Sequence, residues 1–374
     1  MSIVIVTQVF HKLYKNEIYA YGPYAREMNI WFKKFDNVFI LSPFIEVQEL
    51  NPIDIQLEAQ SFNLIKVPDF DLTSVSNLIQ SFFLVPYIFF KILVLFSKVD
   101  HIHLRCPGNM GLLGSFAQIF YPNKKKTAKY AGNWDLNSKQ PLSYRIQQKL
   151  LRSTVLTKNI KVLVYGDWPD QTKNILPFFT ASYSRNQISP FKSKKEEIKS
   201  GLIKFLFVGS LVSGKNPDFS LDFCAKLKSE NFQFRFDFFG EGPLFPILLE
   251  KRNFLGLQEN VIFHGNVSSE ILIDFFKSSH FLIFLSDSEG WPKAVAEAMF
   301  WGCIPVTSSV SCVPQMVNYG ERGILVSKDL DLVIQEVTRL IEDPDKFDEM
   351  ALLAKQWSNE FTLEKFEEEI FCLV

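Results

Sequence analysis

At 374 residues the chain exceeds one typical domain, and two domains are the expectation. Hydrophobic residues make up 47% and charged residues 22%, which is ordinary globular usage and ample for large cores. Net charge is −1, yet residues 1–185 hold 21 Lys+Arg against 13 Asp+Glu while residues 186–374 hold 19 against 28. A basic half joined to an acidic half suggests different partners for each, although drift by chance produces the same pattern. The five cysteines, Cys106, Cys224, Cys303, Cys312 and Cys372, show no CxxC spacing and sit mostly in apolar contexts. That argues against a metal site and a disulfide framework and fits a reducing cytoplasm. The 38 phenylalanines are spread along the whole chain and read as composition bias.

The opening "MSIVIVTQVF" lacks the basic start and long apolar run of a signal peptide. "IVIVTQV" (3–9) reads as a buried strand, followed by a helix in "PYAREMNIWFKKF" (23–35) and a strand in "VFILSP" (38–43). The most apolar stretch, "FFLVPYIFFKILVLF" (82–96), is broken by Pro86 and Lys91 and falls short of the ~20 residues of a membrane span. It reads as a buried helix before a strand, with a membrane-dipping helix as the alternative. "DHIHLR" (100–105), "TAKYAG" (127–132) and "KVLVYG" (161–166) continue as strands, with a helix in "LSYRIQQKLLRS" (142–153). Strands alternating with helices imply βαβ units and a parallel sheet.

The polar, lysine-rich stretch "SRNQISPFKSKKEEIKSG" (184–201) reads as a surface linker. The same grammar restarts after it in "IKFLFVGS" (203–210), "FRFDFFG" (234–240), "VIFHG" (261–265), "HFLIFLS" (280–286), "IPVTSS" (304–309) and "GILVS" (323–327). The expected fold class is therefore α/β with two doubly wound domains, residues 1–185 and 200–355. Ligands of such sheets bind beyond the carboxyl ends of the strands.

Several features gather at those ends in the second half. "FVGSLVSGKNPD" (207–218) places glycines and Lys215 between a strand and a helix, and "FFGEGP" (238–243) does the same with Gly240 and Gly242. Glycines let the backbone turn tightly and approach a ligand, and an adjoining helix N-terminus favours anions. Neither stretch is a P-loop or a dinucleotide fingerprint. In "DSEGWPKAVAEAMFWGCIPV" (287–306), Glu289 lies in the turn after a strand and Pro292 suits the first turn of the next helix. Glu297 follows eight residues later, so the pair can line one end of a crevice and accept hydrogen bonds from sugar hydroxyls. Spacing alone fits equally well a Glu289 that caps the helix and a Glu297 that pairs with a nearby lysine.

"SEGWPKAVAEAMFWGCIPV" resembles the donor-site signature of retaining, nucleotide-sugar-dependent glycosyltransferases of family four, in which two glutamates are separated by seven residues. "FVGSLVSGKNPD", "FFGEGP", "VIFHGNV" and "VPQMVNYGERGILV" (313–326) occur in the family's order. The resemblance is specific over about 203–330 and general over the first half. It implies the GT-B fold, two Rossmann-like domains with parallel sheets facing across a cleft, and a C-terminal segment 356–374 that returns to the first domain. It also implies that Glu289 contacts the transferred sugar, that Glu297 holds the ribose and that Lys215 binds phosphate. Gly209, Ser210, Gly240, Gly290, Trp291 and the segment from His264 to Val267 would line the nucleotide-sugar site. Many members carry an arginine where Ser210 stands, which leaves one positive charge fewer, and Lys293 is the candidate to supply it.

The first half departs more from the family. Gly22 stands alone where two glycines are common, and would bring backbone near the donor phosphate or the acceptor. A catalytic histidine at a strand end is expected in "VDHIHLRCPGNMGLL" (99–113), His103 ahead of His101, with a hydrogen-bonded pair packed under the sheet as the alternative. Arg105, Asn133, Trp134 and Asp135 are the acceptor-side candidates. The implied activity is transfer of a sugar, with retention, from a nucleotide-diphosphate-sugar to a hydroxyl of a growing, lipid-linked glycan. No cofactor, no metal and no nucleic acid are expected. The expected location is cytoplasmic, peripheral on anionic membrane through the basic first half, "KKK" (124–126) and residues 82–96. A nucleotide-sugar 2-epimerase and a catalytically inactive nucleotide-sugar-binding subunit are the alternatives.

Overall fold

The computed structural model describes residues 1–68, 75–169 and 171–374, residues 75–83 by their backbone alone. Its strands are β1 Ser2–Val6, β2 His11–Tyr14, β3 Glu17–Tyr21, β4 Asn37–Ser42, β5 Phe44–Glu46, β6 Asp54–Gln56, β7 Phe62–Lys66, β8 His101–Cys106 and β9 Lys125–Tyr130. They continue as β10 Ile160–Tyr165, β11 Ile175–Phe178, β12 Ile203–Val208, β13 Phe234–Phe239, β14 Val261–Phe263, β15 Phe281–Phe284, β16 Ile304–Thr307 and β17 Ile324–Leu325. The chain divides into two compact units, Met1–Thr180 with Lys365–Val374, and Ala181–Glu364.

The first unit is built on a parallel seven-stranded sheet of order β11-β10-β9-β8-β1-β4-β7. The chain steps from β1 to β4 and β7 on one side and from β8 to β11 on the other, so the winding reverses between β1 and β8. Strands buried on both faces read as continuous apolar runs, which is why "IVIV" and "VLVY" were legible. Helix Val75–Lys98 precedes β8 and buries Ile88, Ile92 and Phe96 against the sheet. No described helix is long and apolar enough to cross a membrane.

A second sheet, of order β5-β2-β3-β6, has no counterpart in the sequence reading. The strand "IVIVTQV" ends at Val6, and a β2–β3 hairpin follows it. Its two-residue turn, Lys15 and Asn16, takes φ values of 48° and 65°, the left-handed pair that matches the twist of a tight hairpin. The hairpin separates β1 from helix Gly22–Phe32. Gly22 therefore does not follow the first strand directly, and a Cβ there would come within 2.4 Å of the Ile53 carbonyl oxygen. The expectation that Gly22 opens backbone to a ligand is corrected: this glycine permits close packing against residues 53–55.

The "KKK" run is also corrected as a free basic patch. Lys126 is buried and donates to Tyr121 O at 2.7 Å, Lys124 donates to Val99 O at 2.6 Å and Lys125 to Val374 O at 2.9 Å.

The second unit carries a parallel six-stranded sheet of order β14-β13-β12-β15-β16-β17, with its reversal between β12 and β15. Phenylalanines dominate its core: Phe205 stacks on Phe236 and Phe281 with centroids 6.1 and 5.5 Å away. The stretch 184–201, read as a linker, belongs to this unit. Lys194 is buried and donates to the carbonyls of Ser279 and Gly302, while its backbone N–H donates to Asp348 at 3.0 Å. Burial pushes its ammonium below the ordinary lysine value. Helix Pro344–Ser358 also lies in the second unit, and the chain rejoins the first unit only at Lys365. There Phe366 packs edge-on against Phe178 at 5.5 Å and Lys33 pairs with Glu367 at 3.0 Å.

Candidate functional site

In the second unit the winding reverses between β12 and β15, so the exits of these two strands lie side by side although 74 residues separate Lys215 from Glu289. Such a switch point is where doubly wound sheets bind ligands, because the loops diverge and leave a crevice. Lys215 ends the short 3-10 turn Ser213–Lys215 after β12, and Glu289 lies in the loop after β15. Their side chains form an ion pair, Lys215 Nζ to Glu289 Oε1, with 25% and 8% of the side chains exposed. Lys215 Nζ also lies 5.0 Å from the centre of the Phe284 ring. Glu289 is therefore neither in open solvent nor a plain helix cap: it faces a cation at the carboxyl end of the sheet.

The glycines shape the same edge. Gly240 has φ +123°, and a Cβ on it would stand 2.1 Å from the Gly209 carbonyl oxygen, so the exits of β12 and β13 touch through backbone. Gly209 N–H donates to Phe239 O at 2.9 Å and Gly240 N–H to Gly265 O at 2.8 Å. Ser210 follows on the exposed side.

Beyond them His264 leaves β14. Its Nε2 lies 2.6 Å from Asp237 Oδ1, and Asp237 also receives Arg235 Nε and Nη2 at 2.8 and 2.9 Å. The imidazole stacks on Phe239 with centroids 4.5 Å apart. Asp237 and Arg235, two residues apart on β13, are support that sequence reasoning missed; their period-two spacing on one strand was the available signal. Val267, half-buried, continues the same loop.

Helix Lys293–Phe300 starts after Pro292, with Lys293 at its first position. Glu297, one turn in, accepts from Ser182 Oγ at 2.5 Å. Gly290 O accepts from Ser311 Oγ and Cys312 Sγ, both at 3.2 Å, and Trp291 stacks with Trp357 at 6.0 Å. Next to this edge a cavity of about 540 Å³ opens at the ends of β15, β16 and β17, with Asp287, Ser308 and Lys328 in its wall.

The first-unit candidates fare differently. His103 is fully buried on the sheet: its Nδ1 shares Thr127 Oγ1, at 2.8 Å, with His101 Nε2, and Trp31 packs 4.4 Å from its ring. Burial first, and the Arg105 charge second, hold its pKa well below the ordinary value, so it stays neutral. This is the packed histidine pair of the alternative reading, and His103 is corrected as a catalytic group. Arg105 is taken up by Glu27, Nη1 to Oε2 2.7 Å, with 12% and 4% of the side chains exposed. Trp134 is buried edge-on to Tyr130 at 4.8 Å, and Asn133 Oδ1 accepts from Asp135 N–H at 2.9 Å within its own turn. These three acceptor-side candidates are thus engaged in structure. At the β1/β8 reversal stand residues the sequence reading passed over: Gln8 Oε1 accepts from Asn109 N–H at 2.9 Å.

Residues 189–357 match the family described as Glycosyl transferases group 1. The capsular polysaccharide biosynthesis glycosyltransferase CapH of Staphylococcus aureus is 25% identical over 243 residues, 61% of this chain and 64% of CapH, so the chain spans just under two thirds of that relative's length. Among solved structures, Anabaena HepE in complex with UDP and glucose superposes with a TM-score of 0.69 at 14% identity, covering 99% of this chain and 98% of HepE. Sucrose-phosphate synthase from Thermosynechococcus elongatus gives 0.68 at 15% identity, covering 100% and 98%. The fold is GT-B, and the stretch matching that family holds both members of the Lys215–Glu289 pair.

Proposed function

We propose that the chain is a retaining glycosyltransferase that moves a sugar from a nucleotide-diphosphate-sugar to a hydroxyl of a growing surface glycan. The observation that carries the reading is the Lys215–Glu289 pair at the β12/β15 reversal, within the stretch matching Glycosyl transferases group 1. In this reading the diphosphate takes up Lys215 and the N–H groups at the start of helix Lys293–Phe300, while Glu289 turns to the sugar hydroxyls and Glu297 to the ribose. The acceptor oxygen bonds the anomeric carbon on the face that the phosphate oxygen leaves, and the acceptor proton passes to that phosphate. The protein stabilises charge on the departing diphosphate and supplies no nucleophile. No metal is assigned a role, and turnover is expected to persist in excess chelator. The similarity to CapH, a glycosyltransferase of capsular polysaccharide biosynthesis, supports capsular polysaccharide as the product class. UDP, present in the HepE crystals, is the first nucleotide to test. Slow hydrolysis of UDP-sugars, screened one sugar at a time, tests the reading; no hydrolysis and no transfer with any donor would leave a binding subunit.

Helix Val75–Lys98 exposes Tyr87, Phe90 and Val94 at helical spacing, and Phe120 nearby is 67% exposed. This exposed apolar edge, with Lys91 Nζ 4.5 Å from the centre of the Tyr87 ring, suits shallow, reversible contact with an anionic bilayer, where a lipid-linked acceptor resides. Vesicle co-sedimentation tests this. Binding to anionic but not neutral vesicles, lost at high salt and weakened in Phe90→Ser with Phe120→Ser, supports it; unchanged partitioning of the double variant overturns it.

A further inference from the structure

The loops that carry Lys215 and Glu289 are fastened to each other by neighbours that take no part in the proposed chemistry. Asn216, next to Lys215, adopts the left-handed conformation (φ 50°, ψ 47°), unusual for a residue with a side chain. That conformation turns its amide towards the other loop: Nδ2 donates to Leu285 O at 2.8 Å and to Asp287 Oδ1 at 2.9 Å. In return, Asp287 N–H and Ser286 Oγ donate to Gly214 O at 2.9 and 3.0 Å. Four hydrogen bonds thus cross between residues 214–216 and 285–287, one residue from Lys215 and two from Glu289. Asp287 also pairs with Lys328, but that pair is 49% and 42% exposed and contributes little. Of the two hydrogen bonds from the Asn216 amide, the one to Leu285 O is part-buried, while the one to Asp287 shares that carboxylate's exposure.

We propose that Asn216 and Asp287 are positioning residues that hold the Lys215 ammonium against Glu289 before the donor arrives. The proposal rests on the glycosyltransferase reading for its consequence in binding, and on geometry alone for the pairing. Glycine is the informative replacement at position 216, because it keeps the left-handed backbone while removing both side-chain bonds; alanine would add strain.

The first test needs no nucleotide. The coupling between Lys215→Met and Glu289→Gln is measured by urea denaturation in the native chain and again in the Asn216→Gly background. The staple predicts that the coupling falls by at least half. Unchanged coupling overturns it, whatever the protein binds. The second test is UDP titration. Asn216→Gly and Asp287→Ala should each raise Kd about tenfold with binding stoichiometry unchanged, and Asp287→Asn, which keeps an acceptor for the Asn216 amide, should restore most of the affinity. Lower stoichiometry at unchanged Kd would mean a folding defect only and would overturn the positioning role. Failure of the native protein to bind any nucleotide would sink the enzyme reading while the denaturation test still decides the staple.

Discussion

Lys215→Met separates the two halves of the site with little disturbance elsewhere. The thioether keeps an apolar chain beside the Phe284 ring, which lies 5.0 Å from Nζ, and removes only the charge and its hydrogen bonds. Glu289, with 8% of its side chain exposed, then loses its cation. Stripping one partner from a buried charged hydrogen bond costs on the order of 1–3 kcal/mol. The low end applies, because Lys215 is 25% exposed and water reaches the pair. Stability should fall by about 1 kcal/mol. UDP binding should fall further, since the diphosphate loses a charged hydrogen bond, about 1.5–3 kcal/mol, and meets an uncompensated carboxylate. That corresponds to a roughly 10- to 150-fold rise in Kd. Glu289→Gln removes the repulsion, so the double variant should recover part of the affinity while hydrolysing no donor. Calorimetric titration at low and at physiological ionic strength reads both effects, and the salt dependence should be shallower without the lysine. A single variant whose Kd stays within about threefold of the native value would refute the phosphate role of Lys215.

Glu289→Ala should lower turnover by orders of magnitude with the denaturation midpoint nearly unchanged, whereas Glu297→Ala should chiefly weaken nucleotide binding, by ~1–3 kcal/mol; full activity in both would make the glutamates structural. Gly240→Ala drives a Cβ to 2.1 Å from Gly209 O at φ +123°, so it should cost at least ~2 kcal/mol and abolish UDP binding, read by thermal shift with and without ligand. Acid should destabilise the protein through its buried histidines. Burial pushes His11 and His101 down to about 4 and His280 to about 3, and His103 lower than usual as well. Below about pH 6.5 the unfolded chain binds protons that the native chain refuses. Stability is therefore full above that value and declines as pH falls towards 4, by up to about 1.4 kcal/mol per unit for each histidine. Urea midpoints between pH 7 and 4.5 check this, His103→Gln should flatten the slope, and a level native profile would refute the assignment.

The sequence by itself determined five of the seven parallel strands of the first unit, all but β7 and β11, and all six of the second. Buried parallel strands are solvated on neither face, so their apolar runs are continuous and readable one segment at a time. The stretch before helix Lys293–Phe300 fits a helix cap as well as a ligand contact on spacing alone, and only its resemblance to a donor-site signature favours the second. What sequence could not supply was adjacency and face. Lys215 and Glu289 meet only because the order of strands reverses between β12 and β15, a decision made by the whole sheet. Period two put His101 and His103 on one face of β8 without saying what covers it, and Trp31, from a helix some 70 residues earlier, packs over both. The polar run 184–201 looked solvent-bound because lysine usually is, yet Lys194 is drawn inside by the carbonyls of Ser279 and Gly302, which lie 85 and 108 residues away. A side chain's period is local and leaves its mark in sequence; its partner is chosen by packing between distant segments, and that choice decides whether a charge is solvated, paired or catalytic.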